Sequence, residues 1–167
     1  MQDALRNRIR IYCRFEHYNL TDLIEIIRRT ALALNWEIGS EQVLLEIAKR
    51  SKKTPRIALN RNLQMCWNVC SSQGRNVITI DDVYRAFRLL NIDSLGLDEL
   101  ERNYLKILLE NGSTPLNVIS SKLALPTQTI KTVLETYLLQ ENFIEKNKCS
   151  HRAITSVAEQ HLRSCNV

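Results

Sequence analysis

The sequence predicts a mainly helical protein built as two small domains in series: a bundle of four short helices, then a helix-turn-helix closed by a β-hairpin. Three observations lead there. Between Thr21 and Leu90, apolar residues recur at helical spacing in four separate stretches. Between Pro115 and Leu139, two further helical patterns are separated only by Ala124-Leu125. Directly after them, two short strand-like runs flank a polar tip.

The opening stretch Leu5-Arg6-Asn7-Arg8-Ile9-Arg10-Ile11-Tyr12-Cys13-Arg14-Phe15 alternates charged and apolar residues with period two, the pattern of a strand. Its own domain supplies no partner, so its sheet is expected upstream or in another molecule. From Thr21, a suitable helix cap, the period changes, and Leu23, Ile26, Ile27, Ala31 and Leu34 form one face. Ser40 opens a second helix with Val43, Leu44 and Ile47 inward. A third runs from Pro55, a residue suited to a first helical turn, through Ile57, Leu63, Cys66 and Val69. The fourth follows Thr79-Ile80-Asp81 and turns Val83, Phe87 and Leu90 inward.

Asn91-Ile92-Asp93-Ser94-Leu95-Gly96 interrupts the helical pattern and marks the domain boundary. A helix over 97–109 ends at Asn111-Gly112. Helices over 115–123 and 126–139 then make a helix-turn-helix. Strands over 143–146 and 152–155 surround the tip 147–151, and residues 156–163 close the domain as a last helix. Helix, helix-turn-helix and hairpin in that order is a winged helix.

Composition narrows the function. With 44% hydrophobic and 25% charged residues the chain is ordinary globular protein. Its apolar runs fall far short of the roughly 20 residues of a membrane span, and Met1-Gln2-Asp3 opens no signal peptide, so a cytoplasmic location without membrane contact is expected. The five cysteines include no CxxC pair and read as reduced thiols, with Cys66 and Cys70 on one helical face as core. None of the four glycines is followed by Lys-Ser or Lys-Thr, which excludes a P-loop; His17, His151 and His161 suggest neither a metal site nor a nucleophile–base pair. An independent enzyme lacks its catalytic constellation here.

The net charge of +5 lies wholly in residues 1–93, with 15 basic against 10 acidic residues; residues 94–167 balance 8 against 8. Contact with DNA by the second domain therefore has to come from a local cluster. The wing offers one, Lys146, Lys148, His151 and Arg152 against Glu145. The recognition helix offers Lys131 beside Glu135, with Gln128, Thr129 and Thr132 as further exposed candidates, too little for reading base sequence. The same fold also serves as a protein-interaction module, so a stand-alone adaptor binding DNA or protein remains a second reading.

Four stretches carry a resemblance. They are Leu5-Arg6-Asn7-Arg8-Ile9-Arg10-Ile11 followed by Phe15-Glu16-His17-Tyr18; Lys49-Arg50-Ser51-Lys52-Lys53-Thr54-Pro55-Arg56-Ile57-Ala58; Asn91-Ile92-Asp93-Ser94-Leu95-Gly96-Leu97-Asp98-Glu99; and Glu135-Thr136-Tyr137-Leu138-Leu139-Gln140-Glu141-Asn142-Phe143-Ile144. In order and spacing the chain resembles the C-terminal half of the RuvB family, hexameric AAA+ motors of Holliday junction branch migration. The resemblance implies that residues 1–18 end a large ATPase domain missing upstream, that 19–93 form an AAA+ lid, and that 94–167 form a winged-helix DNA-binding domain. It gives Arg8 the place of the arginine finger, which reaches the γ-phosphate of a neighbour's ATP. Tyr18 takes the place of the aromatic near adenine and Arg56 that of the second sensor, while Lys146 and Arg152 stand where the family has wing arginines on the DNA backbone. Read without it, Arg8 and Arg56 are surface charges and Tyr18 a staple residue beside a helix start.

The implied partners are four-way junction or duplex DNA, a RuvA-like junction-binding protein and further RuvB-like subunits. ATP and Mg²⁺ are implied only together with the large domain. The chain departs from the family pattern at Ile9-Arg10 (Phe-Gly in the family), at Lys53 (Gly), at Gln64-Met65-Cys66-Trp67-Asn68 (an arginine-rich helix), at Ser113-Thr114-Pro115 (Gly-Gly-Pro) and in the wing at 147–152 (Thr-Pro-Arg-Gly-Arg).

Overall fold

Asn19 starts the first helix. Its Oδ1 accepts the Asp22 backbone N–H at 2.8 Å, so α1 (Leu20–Ala33) is capped by Asn19, and Thr21, the expected cap, already lies inside the helix. The computed structural model describes residue 13 and residues 16–165. The expected N-terminal strand, including Arg8, lies outside the described residues except for Cys13.

Helix α2 (Glu41–Lys49) follows Ser40 and buries Val43, Leu44 and Ile47 as the spacing predicts. Helix α3 occupies residues 55–72, with Pro55 in its first turn; α4 (Ile80–Leu89) enters through a capping box of Thr79 and Asp82, and Arg75 pairs with the same carboxylate. Two features escape the sequence pattern. Two-residue strands β1 (Glu37–Ile38) and β2 (Val77–Ile78) pair in parallel, too short to show a period. Helix α3 also widens into a π-helical stretch at Ala58–Leu63. The wider turn brings Asn62 fully inside, where its Nδ2 donates to Arg50 O at 3.1 Å and Ser51 Oγ at 3.0 Å and so satisfies a carbonyl at the end of α2.

The four helices close on Leu23, Ile27, Leu44, Ile47, Leu63 and Phe87, with Cys66 and Cys70 among them. Burial pushes the Cys66 thiol up to about 12, which suits a packing role. Trp36 and Trp67 stack at 4.7 Å on the bundle's flank.

Beyond Gly96, α5 (Glu99–Asn111) is capped reciprocally by Asp98 and Glu101, each side chain accepting the other's backbone N–H at 3.0 Å. Helix α6 (Leu116–Leu123) and helix α7 (residues 127–140) follow. Both helices begin one residue later than predicted, so that Pro115 and Pro126 stand just outside them as caps. Helix α7 carries its own π-helical stretch, Ile130–Leu134. Strands β3 (Ile144–Lys146) and β4 (Arg152–Ile154) form the predicted antiparallel wing, Thr114 adds a bridge to Arg152, and α8 (Ser156–Cys165) closes the domain. A second apolar cluster holds it together, around Tyr104, Leu105, Leu108, Ile119, Ile130 and Leu138.

The segment 91–96 joins the two clusters firmly. Arg50 Nε donates to Asp93 O at 3.1 Å, Tyr137 Oη to Leu95 O at 3.2 Å, and Asp93 Oδ2 meets His161 Nε2 at 2.8 Å. Among the described residues no helix is long and apolar enough to cross a membrane.

Candidate nucleic-acid interface

A cleft of about 610 Å³ opens between the start of α6, the outer side of α7 and the wing, lined by Leu116, Asn117, Lys131, Lys146, His151 and Arg152. Sequence alone treats Lys146 and Arg152 as surface cations and Glu135 as exposed beside Lys131. The structure reverses two of these. Glu135 is fully buried, and Arg152, only 5% exposed, points inward to it, with Nε 2.6 Å from Oε1 and Nη2 3.2 Å from Oε2. Lys146 Nζ lies 2.9 Å from Oε2, and the buried Tyr104 hydroxyl donates to Oε1 at 3.0 Å.

The physical reason lies in α7. Its π-helical stretch shifts the helical register, so Leu134 and Glu135 both face inward, which a 3.6-residue period does not foresee. A buried carboxylate then needs cations and donors around it. Burial pushes the Glu135 carboxyl up, but the hydrogen bonds and charge of Arg152 and Lys146 outweigh that and hold it below its usual range. Burial, together with the Glu135 charge, pushes the Tyr104 phenol well up, so it stays a donor. Arg152, expected on the DNA backbone, uses its donors internally here; its Nη1 also donates to Ser150 O at 2.5 Å, at the root of the wing tip.

The tip is ordered by Asn147, whose Oδ1 accepts the backbone N–H groups of Cys149 at 3.0 Å and His151 at 2.9 Å, while its Nδ2 donates to Ser113 Oγ at 3.0 Å. Lys148 stands exposed on this turn, and Lys131 stands exposed on α7; neither has a partner among the described residues. Lys146 is half-exposed and reaches both Glu135 and the cleft. Gln128 is exposed, but Thr132 Oγ1 donates to Gln128 O at 2.9 Å and Thr136 Oγ1 to Thr132 O at 3.1 Å, so these hydroxyl protons serve their own helix. The surface offers point charges for phosphates and few donors for base edges.

In the first domain, Tyr18 is 45% exposed at the position before the Asn19 cap and borders a cleft with Asp22, Glu25, Ile26 and Arg29. Arg56 is exposed on the first turn of α3, without a partner among the described residues, and that turn packs against α1. Arg56 and Tyr18 are thus both open to solvent near the ends of neighbouring elements of the first domain.

Residues 18–93 match the family model described as the RuvB AAA lid domain, and residues 94–163 that of the RuvB C-terminal winged helix domain. The chain is 33% identical over 165 residues to the Holliday junction branch migration complex subunit RuvB of Protochlamydia amoebophila, an alignment covering 97% of this chain and 49% of that protein. Identity to the subunit of the same name in Staphylococcus haemolyticus is 34% over 165 residues, with 97% and 49% covered. It also superposes on the solved structure of the Thermotoga maritima RuvB Holliday junction branch migration motor with a TM-score of 0.87 at 33% identity, covering 98% of this chain and 55% of that one. The chain thus spans about half the length of the curated relatives it matches.

Proposed function

The chain belongs to the RuvB family through its lid and winged-helix domains, and we propose that it serves as the lid and DNA-contacting part of an ATP-dependent Holliday junction branch migration motor. The observation that carries this is the wing cleft, lined by Lys131 of α7 and Lys146 of β3, with Lys148 exposed on the adjoining hairpin tip; the Lys131 and Lys148 side chains have no partner among the described residues. Cations so placed bind the phosphate backbone of a duplex arm without reading its sequence, as a motor that moves along DNA requires. Lys146 adds a third contact from the cleft, and Arg152 acts from inside by holding the wing.

The lid half works on nucleotide in company with the family's large ATPase domain. ATP with Mg²⁺ supplies the phosphoryl chemistry there. Arg56 holds a phosphate by its permanent charge and forked donors, Tyr18 packs beside the base, and Arg8 acts as the finger toward a neighbouring subunit's ATP. Further RuvB-like subunits in a hexamer and a RuvA-like junction-binding protein are the partners of this role, and the cytoplasm is its place.

Fluorescence anisotropy with a labelled four-way junction tests the DNA-contacting part. Binding is expected to weaken steeply with salt, the logarithm of affinity falling by about 0.9 per phosphate contact for each tenfold rise in salt. Lys148→Ala and Lys131→Ala should each weaken it. Absence of junction binding at low salt overturns the proposal.

A further inference from the structure

A carboxylate beneath a phosphate-binding surface opposes DNA, and Glu135 lies directly beneath this one. By charge alone its removal should tighten binding, since it repels phosphate and ties up Lys146 and Arg152. The geometry argues the reverse. Four elements converge on Glu135: α5 through Tyr104, α7 through Glu135 itself, β3 through Lys146 and β4 through Arg152. Lys146 and Arg152 are direct cross-strand partners, the rung of the wing next to its tip. Like charges opposite each other in a ladder push the strands apart unless an anion lies between them. Glu135 is that anion, and it belongs to the helix that presents Lys131.

We propose that Glu135 is a positioning residue for DNA contact: by drawing Lys146 and Arg152 onto α7 it sets the wing against the helix, so that Lys148 and Lys131 meet one stretch of backbone together. This rests on the DNA-contacting role proposed above. Tyr104 gives the independent handle. Fully buried and uncharged, it cannot touch DNA, so any effect it has on DNA affinity passes through the carboxylate it bonds.

The experiment uses the full chain and a labelled four-way junction over a range of KCl concentrations, at a temperature well below the melting point of each variant. Glu135→Gln, though it makes the chain more positive by one charge, is expected to bind about ten-fold more weakly, a change of about 1.4 kcal/mol. Its salt slope should be shallower by about one phosphate contact. Tyr104→Phe should weaken binding about two-fold in the same direction, as loss of a single hydrogen bond to the carboxylate implies. A merely structural role would leave the slope of the folded fraction unchanged. Should Glu135→Gln fail to fold, Tyr104→Phe decides. If both bind as tightly as the parent or more tightly while Lys148→Ala weakens binding, the positioning role is overturned and the DNA role stands. If Lys148→Ala and Lys131→Ala also change nothing, the DNA role is wrong and the positioning role falls with it.

Discussion

Lys52 of the first domain places Nζ 2.6 Å from both carboxylate oxygens of Glu101 in the second, with side chains only 12% and 3% exposed. The same ammonium lies 5.2 Å from the centre of the Tyr137 ring, and the next residue, Lys53, reaches Glu141 at 2.6 Å. Both lysines sit in the left-handed region, at φ 49° and 53°, and Lys53 stands where the family pattern has glycine. Two lysines of one turn thus clasp two carboxylates across the domain boundary, immediately before the helix that carries Arg56.

Lys52→Met should leave the Glu101 carboxylate buried without its cation and destabilise the chain by about 3 kcal/mol, a fall in Tm of about 6–12 °C for a protein of this size. Burial already pushes the Glu101 carboxyl above its usual value, with Lys52 opposing. A group raised in the folded state stabilises below its unfolded pKa, and that stability is lost as pH rises through the folded pKa. The deficit of Lys52→Met should therefore be larger near neutral pH than in mild acid. Scanning calorimetry at both pH values checks this, and an unchanged Tm would refute the clasp.

Glu135 makes the opposite pH signature. Held below its ordinary 4.5 in the folded chain, it contributes stability that is present above 4.5 and lost as pH falls through its lowered folded value. Glu135→Gln should thus melt below the parent near neutral pH, with the gap closing as pH drops under 4.5. Parallel melting curves across that range would show that the carboxylate is not held by its cations.

Two of the wing cations, Arg152 and Lys148, should separate stability from binding. Arg152→Ala strands the buried Glu135 and is expected to cost about 3 kcal/mol of stability. Lys148→Ala should change stability by no more than about 0.5 kcal/mol while weakening junction binding. Thermal melts alongside anisotropy distinguish them, and equal losses of Tm would contradict the assignment.

Gly96→Ala tests the joint itself. Gly96 sits at φ +80°, and an added Cβ would lie 3.0 Å from Arg50 Cα and 3.1 Å from Arg50 O, both backbone atoms. Strain and overlap together should cost about 1–3 kcal/mol, read as a lower Tm; a melt identical to the parent would show that the joint yields.

Periodicity and turn chemistry were enough for the four-helix bundle, the helix-turn-helix and the wing, because each depends on near neighbours in the chain: Val43, Leu44 and Ile47 on one face, Ala124-Leu125 between two helices, the strands either side of Asn147. Local pattern also located Lys148 on an exposed tip. It could not foresee the π-helical turns that bring Asn62 and Glu135 inside, since a one-residue change of register is invisible to a repeating apolar pattern. Nor could it tell a surface cation from a buried one. Arg152 and Lys148 lie four residues apart and look alike in sequence; only the packing of α7 beneath the wing gives Arg152 an anion to meet and leaves Lys148 to the solvent. What the chain itself determined is the order of the helices and the wing and which of their faces are apolar, because those are set by neighbours in sequence. What the tertiary structure decided is which charges are used inside and which remain for a ligand, because that depends on carboxylates brought close from far along the chain, Glu101 to Lys52 and Glu135 to Arg152.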